Sequence, residues 1–248
     1  MKSIKQAFEI GLVCFLLFSL YNCTPFYALG NNGVAPIVFI KPVYADSALT
    51  TTYIGGKYAH TTDEAYSHTD EVNHFGQLNL SQSHILKYYN FSYGAFGYLG
   101  AYKVAELENF KGNKTYYGGG LSSEFCLNIP LKSIDLRIAG IKGSLYYENG
   151  DFTKFRRIAA EQYLISGVTA SQFAYNISFT SGAEFNYKNS SFGLDSSTGM
   201  TYFIRDEHAF FTFSFNANYT YKRYTAYVLF TESVIGEEFS VGFAYRLK

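Results

Sequence analysis

The sequence has no tryptophan, only 4 prolines and only 3 cysteines in 248 residues. Charge is scarce as well. Asp, Glu, Lys and Arg make up 16% of the chain, and 20 basic residues balance 20 acidic ones, so the formal net charge is zero. A neutral chain lacks the basic footprint of a nucleic-acid binder, which excludes nucleic acid as a partner. Beyond the N-terminal segment no apolar run approaches the roughly 18 residues that mark a membrane-spanning helix. Helical periodicity is nearly missing too: after residue 40 only Phe155 to Gln162 shows it, enough for one short turn. What is abundant is aromatic. There are 24 Tyr and 24 Phe, 19% of the chain, well above the usual share in a soluble domain.

The three cysteines carry no disulfide framework. Cys14 falls in the apolar stretch Ile10–Tyr21, which follows Lys2 and Lys5 and has the make-up of an export signal. Cys23 comes directly after that stretch, and Cys126 stands alone as a small filler residue. Two processing schemes compete. In the favoured one residues 1–22 are a lipoprotein-type signal peptide, and Cys23 is acylated and becomes the mature N-terminus. The rival is ordinary cleavage after Gly30, with Ala28 and Gly30 as the small residues. Residues 23–46 then read as a lipid-anchored periplasmic tether, holding Pro25, Pro36, Pro42 and one apolar patch, Ile37 to Ile40.

From residue 47 to 248 the texture is uniform, with apolar and polar residues alternating at period two. The clearest run is Phe211 to Lys222. Phe211, Phe213, Phe215, Ala217, Tyr219 and Tyr221 share one face, and Thr212, Ser214, Asn216, Asn218, Thr220 and Lys222 the other. Similar runs occupy Thr115–Ile129, Asn176–Lys188 and Phe239–Lys248, and weaker ones Ala48–His60, Asn73–Ser83, Tyr88–Lys103, Ser133–Glu148, Ser191–Ile204 and Tyr224–Glu232. Short polar links separate them at 130–133, 148–151, 188–190, 205–208 and 222–223, as in a meander of hairpins. Such strands serve either a soluble sandwich or a membrane barrel, with the faces exchanged. The membrane barrel is favoured on three grounds. The runs are long, and tyrosines gather at their ends (Tyr88, Tyr89, Tyr116, Tyr117, Tyr146, Tyr147, Tyr187, Tyr219, Tyr221, Tyr245). The polar faces are Ser, Thr, Asn and Gly, where a water-facing sheet would carry Lys and Glu.

The fold class expected is therefore all-β, a transmembrane antiparallel meander β-barrel of about 10–12 strands. About eleven runs can be counted, while a bacterial barrel needs an even number. Ile37–Ala45 would add a twelfth, or two weak runs merge to leave ten.

In this texture, from Ala48 to Lys248, the chain resembles the small outer-membrane β-barrel proteins of Gram-negative bacteria. Its last strand, with Phe239, Val241, Phe243, Tyr245 and Leu247 on one face, is similar to the C-terminal signal that directs such barrels into the membrane, although it ends in Lys248 rather than an aromatic residue. Asn22 before Cys23 resembles the looser lipoprotein signals of Bacteroidota or spirochaetes. The resemblance implies a location in the cell outer membrane.

Chemistry is sparse. His60 precedes and His68 lies in the expected loop Thr61–Val72 beside Asp63, Glu64, Asp70 and Glu71, where a solvated polar loop is the expected role. Ser83 and His84 are adjacent and so point to opposite faces, which forbids a dyad. No nucleophile elbow, zinc helix or phosphate loop is present. Gly118-Gly119-Gly120 reads as close packing within a strand, and Asn79, Asn90, Asn113, Asn176 and Asn218 as lumen-facing residues. Parity places Glu124, Arg137, Glu184 and Arg246 in the lumen, either as a charged constriction or as internal salt bridges, the second being favoured. The expectation is a barrel with no catalytic residue, metal or cofactor, surrounded by outer-membrane lipid. It would act as an accessory or scaffold subunit for other outer-membrane proteins such as barrel-assembly or secretion machinery. A passive small-solute pore, a surface hydrolase and a lipid-anchored soluble β-protein are the alternatives.

Overall fold

A computed structural model describes residues 27–30, 38–39, 49–62, 71–105, 108–162, 168–204, 209–233 and 236–247. Ten strands among them form one closed sheet. They are β1 (Leu49–Thr62), β2 (Val72–Ile85), β3 (Tyr89–Val104), β4 (Gly112–Pro130), β5 (Ile134–Gly150), β6 (Phe173–Tyr187), β7 (Ser190–Phe203), β8 (Ala209–Tyr221), β9 (Tyr224–Ser233) and β10 (Gly236–Arg246). Each pairs antiparallel with the next, and β1 pairs with β10 from Tyr53↔Arg246 to Thr62↔Glu237, so no edge is left unpaired in lipid. Of the strand numbers considered from sequence, ten is the one found. Val38 and Phe39, the described part of Ile37–Ala45, belong to no strand.

The two ends of the barrel differ. At one, Leu86–Tyr88, Leu131–Ser133, Lys188–Asn189 and Lys222–Arg223 join strands in two or three residues. Lys188 and Lys222 take positive φ (48° and 55°) there, as tight hairpins of right-twisted strands require. β1 begins and β10 ends at this turn end. The opposite, loop end carries the longer connections, including the one between β5 and β6. Short turns face the periplasm and longer loops the cell exterior in bacterial barrels.

Alternation sorts the side chains as a membrane demands. Phe179 is 69% exposed and Leu121 64%, while Ser83, Ser92, Thr225 and Ser240 are fully buried inside. Apolar residues outside and hydroxyls inside invert the soluble arrangement, which removes the lipid-anchored soluble protein from consideration. Lysines lie over tyrosines at the turn rim: Lys87 on Tyr88, Lys188 on Tyr187 and Lys222 on Tyr221, each 5.1–5.3 Å from the ring centroid. That rim has the make-up of a headgroup girdle. Leu121→Lys is expected to cost about 2–4 kcal/mol of folding free energy, falling to about 0–1 for Leu131→Lys at the rim. Urea titration of refolding into lipid vesicles reads both.

Two expectations need correction. Tyr116 and Tyr146 are not girdle residues; both point inward and are fully buried. The Glu148–Asp151 link is not a hairpin turn. β5 runs to Gly150 and is followed by α1 (Asp151–Glu161), longer than the single turn expected from Phe155. Phe152, Phe155 and Ala159 form its buried face, and Asp151 in the first turn suits the helix dipole. The helix is hard to see in the sequence because Arg156 shares the buried face, where amphipathicity would call for an apolar residue.

One irregularity re-aims the wall. β5 slips register against β4 between Leu127 and Asn128, and against β6 between Arg137 and Gly140, leaving Ile138 as an extra, bulged residue. Ile138 and Ala139 both face out, so Arg137 and Lys142 both face in despite their odd spacing.

Candidate functional site

The interior is the place where polar chemistry gathers, and it falls into layers. In the turn-side half, Arg137 on β5 donates to Glu184 on β6 at 2.7 Å and pairs with Asp195 on β7. Asn216 adds a 3.4 Å bond to Asp195. The cavity beside this triad, which Glu124, Lys142 and Phe39 also line, measures about 50 Å³, room for one or two waters. Lys142 holds its ammonium 5.4 Å from the Phe39 ring centroid. Higher up, Lys57 on β1 pairs with Glu238 on β10 at 3.0 Å, with the same ammonium 5.1 Å from the Phe75 ring centroid.

The loop-side half is an aromatic core. Phe75, Phe96, Tyr98, Tyr116, Tyr146 and Phe210 project into it from the strands, and α1 closes it with Phe152 and Phe155. Inward glycines make the space: Tyr98 occupies the position a side chain at Gly118 would need, and Phe96 that of Gly120. Phe152 stacks on Tyr102 at 4.4 Å between centroids. Within this core Arg156 pairs with Glu148 at 2.9 Å, both fully buried, and donates to the carbonyls of Thr169 (2.7 Å) and Ser171 (3.1 Å).

The described residues of the segment read as a tether lie inside the barrel. Tyr27–Gly30 are buried in the loop-side core, with the Tyr27 hydroxyl donating to Glu71 at 2.7 Å and the Gly30 amide to Glu148 at 2.8 Å. Val38 and Phe39 sit lower, Val38 against Tyr53, Tyr227 and Ala244.

Of the four lumen charges expected from parity, Glu124 and Arg137 line the small cavity, and Glu184 joins them through its bond to Arg137. Arg246 stands apart, half-buried at the turn rim, with its amide on the Arg223 carbonyl (2.8 Å). Phe239, Val241 and Phe243 are exposed on the outer wall, Tyr245 packs on Tyr224 with centroids 5.2 Å apart, and Leu247 follows the strand. Asn79, Asn90, Asn176 and Asn218 are buried, while Asn113 is exposed. Cys126 is buried in the wall. Cys14, Cys23, Asp63, Glu64, His68, Asp70 and the 205–208 link with His208 lie outside the described residues. Glu71 is not part of a solvated loop: it turns inward, accepting also from Tyr102 (2.9 Å) and the Ala105 amide (2.8 Å).

Sequence reading missed Lys57, Glu71, Glu148, Arg156, Asp195 and Glu238. Glu238 was within reach, since it keeps phase with the inward Ser240.

The described histidines, His60, His74 and His84, stay on the outer wall. His60 and His74 face each other across β1 and β2 with their Nδ1 atoms 3.1 Å apart, and the Tyr58 hydroxyl is 2.7 Å from His74 Nδ1. His84 meets Thr50 at 2.9 Å, while Ser83 turns inward to Ser92, so the two adjacent residues are separated as parity requires. Among the described residues no cluster of three metal-ligating side chains occurs. His60→Asn combined with His74→Asn is expected to change stability by less than about 0.5 kcal/mol, as for most surface replacements. The same urea titration checks it.

Closed pairing, a lipid-compatible exterior and a polar, filled interior define an outer-membrane β-barrel, and the protein resides in the outer membrane. No protein-family model and no curated protein matches the sequence. Solved structures with a similar barrel include an outer-membrane channel of Pseudomonas putida F1, at 9% identity over 84% of this chain and 100% of that one, with a TM-score of 0.43. The β domain of the Bordetella autotransporter BrkA aligns at 9% identity over 79% and 98%, with a TM-score of 0.44. The KdgM porin does so at 10% over 77% and 98%, with a TM-score of 0.31.

Proposed function

We propose that this barrel works through its surfaces rather than its lumen, as a non-enzymatic accessory or scaffold subunit for other outer-membrane proteins. The observation that carries this reading is the filled interior. Its ionic groups are spent on one another, as in the Arg137–Glu184–Asp195 triad and the Lys57–Glu238 and Arg156–Glu148 pairs. Its loop-side half is packed as a core. A ten-stranded barrel has little width to spare beyond its side chains.

The outer wall offers contact instead. Across β2 to β6, Leu80, Tyr93, Leu121, Leu145 and Ile177 border a depression of about 820 Å³ floored by small residues such as Ala95 and Gly143. A second barrel wall can approach closely there. Purification from native membranes in mild detergent is expected to bring down a stoichiometric outer-membrane partner, and the full chain in a planar bilayer to give no conductance steps. A protein that purifies alone and conducts in discrete steps would be a passive small-solute pore instead.

A further inference from the structure

Tyr27–Gly30 are held in the barrel by contacts with described residues at its loop end. Besides the bonds to Glu71 and Glu148, the Tyr27 carbonyl accepts from the Thr169 amide at 3.1 Å and the Gly30 carbonyl from Asn73 Nδ2 at 2.6 Å. The Tyr27 ring meets Phe155 edge-on at 5.2 Å and Tyr102 at 5.8 Å. Gly30 lies so close to the Tyr116 ring that no Cβ fits there, which seats the backbone without slack. Phe39 lies nearer the turn end, and β1 starts at the turn end with Leu49. Along the sequence, then, the described positions descend from the loop mouth through the lumen to the first strand.

This order bears on both processing schemes. Cleavage after Gly30 would remove four residues that form part of the folded interior. It would take a hydrogen-bond donor from each of Glu71 and Glu148, and leave a hole where Tyr27 and Leu29 sat. From the structure we infer that the mature chain retains Tyr27–Gly30 and presents its N-terminus at the loop mouth, on the cell-surface side of the outer membrane. Residues ahead of Tyr27 can extend about 3.5 Å each, so a terminus four residues upstream stays within about 14 Å of it. That distance keeps it at the outer leaflet and away from the periplasm. The inference does not depend on the scaffold reading, because a conducting pore could carry its N-terminus in the same place.

Two measurements test it. Mass spectrometry of the untagged protein from outer membranes is expected to find a mature N-terminal peptide that includes Tyr27–Gly30. A mature chain beginning at Asn31 overturns the inference. An epitope inserted between Thr24 and Pro25 is expected to be bound by antibody on intact cells, with no more than a twofold gain on permeabilisation. An epitope reached only after permeabilisation overturns it. Faster migration of the unheated tagged protein on a gel identifies the folded barrel, so a folding failure is not mistaken for a buried tag.

Discussion

Arg137→Leu is expected to destabilise the barrel by about 3–5 kcal/mol, the usual cost of removing one partner from a buried ion pair. The guanidinium is 4% exposed and Glu184 5%, so the Glu184 carboxylate can recover little hydration when the cation leaves. Asp195, at 23%, is partly reached by water and softens the loss. With leucine in place, Glu124 and Asp195 face the small cavity with Glu184 beside them, and Lys142 is the one cation left among its described lining residues. The readout is the urea midpoint of refolding into vesicles, which should fall with the slope unchanged. Arg137→Leu combined with Glu184→Gln and Asp195→Asn should recover most of the loss, since the stranded charge accounts for most of the penalty. If Arg137→Leu instead leaves the midpoint in place and makes the bilayer conduct cations, the triad is a constriction and the chain a pore.

Much of the fold was legible because a membrane barrel writes both its solvents into each strand. Phe211–Lys222 names lipid on one side and lumen on the other, and β8 places them so. The same reading held for β4, β6 and β10. It rests on local parity, and it weakens where parity breaks. Between Ile138 and Ile141 the apolar phase shifts from even to odd positions. That shift is the mark of the bulge, and it was visible in the sequence without pointing to one cause. Parity also cannot say what a strand end meets. Tyr116 and Tyr146 look like girdle residues by type, yet α1 and Tyr27–Gly30 give them an aromatic interior to join.

The interior itself was half legible. Arg137, Glu124 and Glu184 could be placed inward from alternation alone, but which charges pair depends on register between strands, and register is not written in any one of them. Arg156 and Glu148 were harder still, because their pairing requires a helix that folds back over the barrel mouth. Glu71 shows the limit: in sequence it is one carboxylate among several beside His68, and only the placement of Tyr27, Tyr102 and the Ala105 amide around it turns it into a buried acceptor.

Tyr27–Gly30 and Phe39 are buried inside the barrel. Deleting Pro25 to Phe39, with Thr24 joined to Ile40, is expected to turn a silent barrel into a conducting one. The wall should survive, because β1 closes on β10 through strand pairing that involves none of the deleted residues. Packing is lost all the same. Removing a buried aromatic such as Tyr27 typically costs about 3–5 kcal/mol, so the unfolding midpoint should fall as well. Among the described residues, what remains inside includes the triad near the turn end, the Lys57–Glu238 and Arg156–Glu148 pairs and inward rings such as Phe75, Tyr98, Tyr146 and Phe210. Water entering past α1 would then meet a polar wall of Ser83, Ser92, Thr225 and Ser240. Discrete steps in planar bilayers, absent from the full chain, are the expected record. Their absence from the deleted chain would mean that α1 and the ion pairs close the barrel by themselves, leaving the N-terminal segment the narrower task of holding the chain's start at the loop mouth.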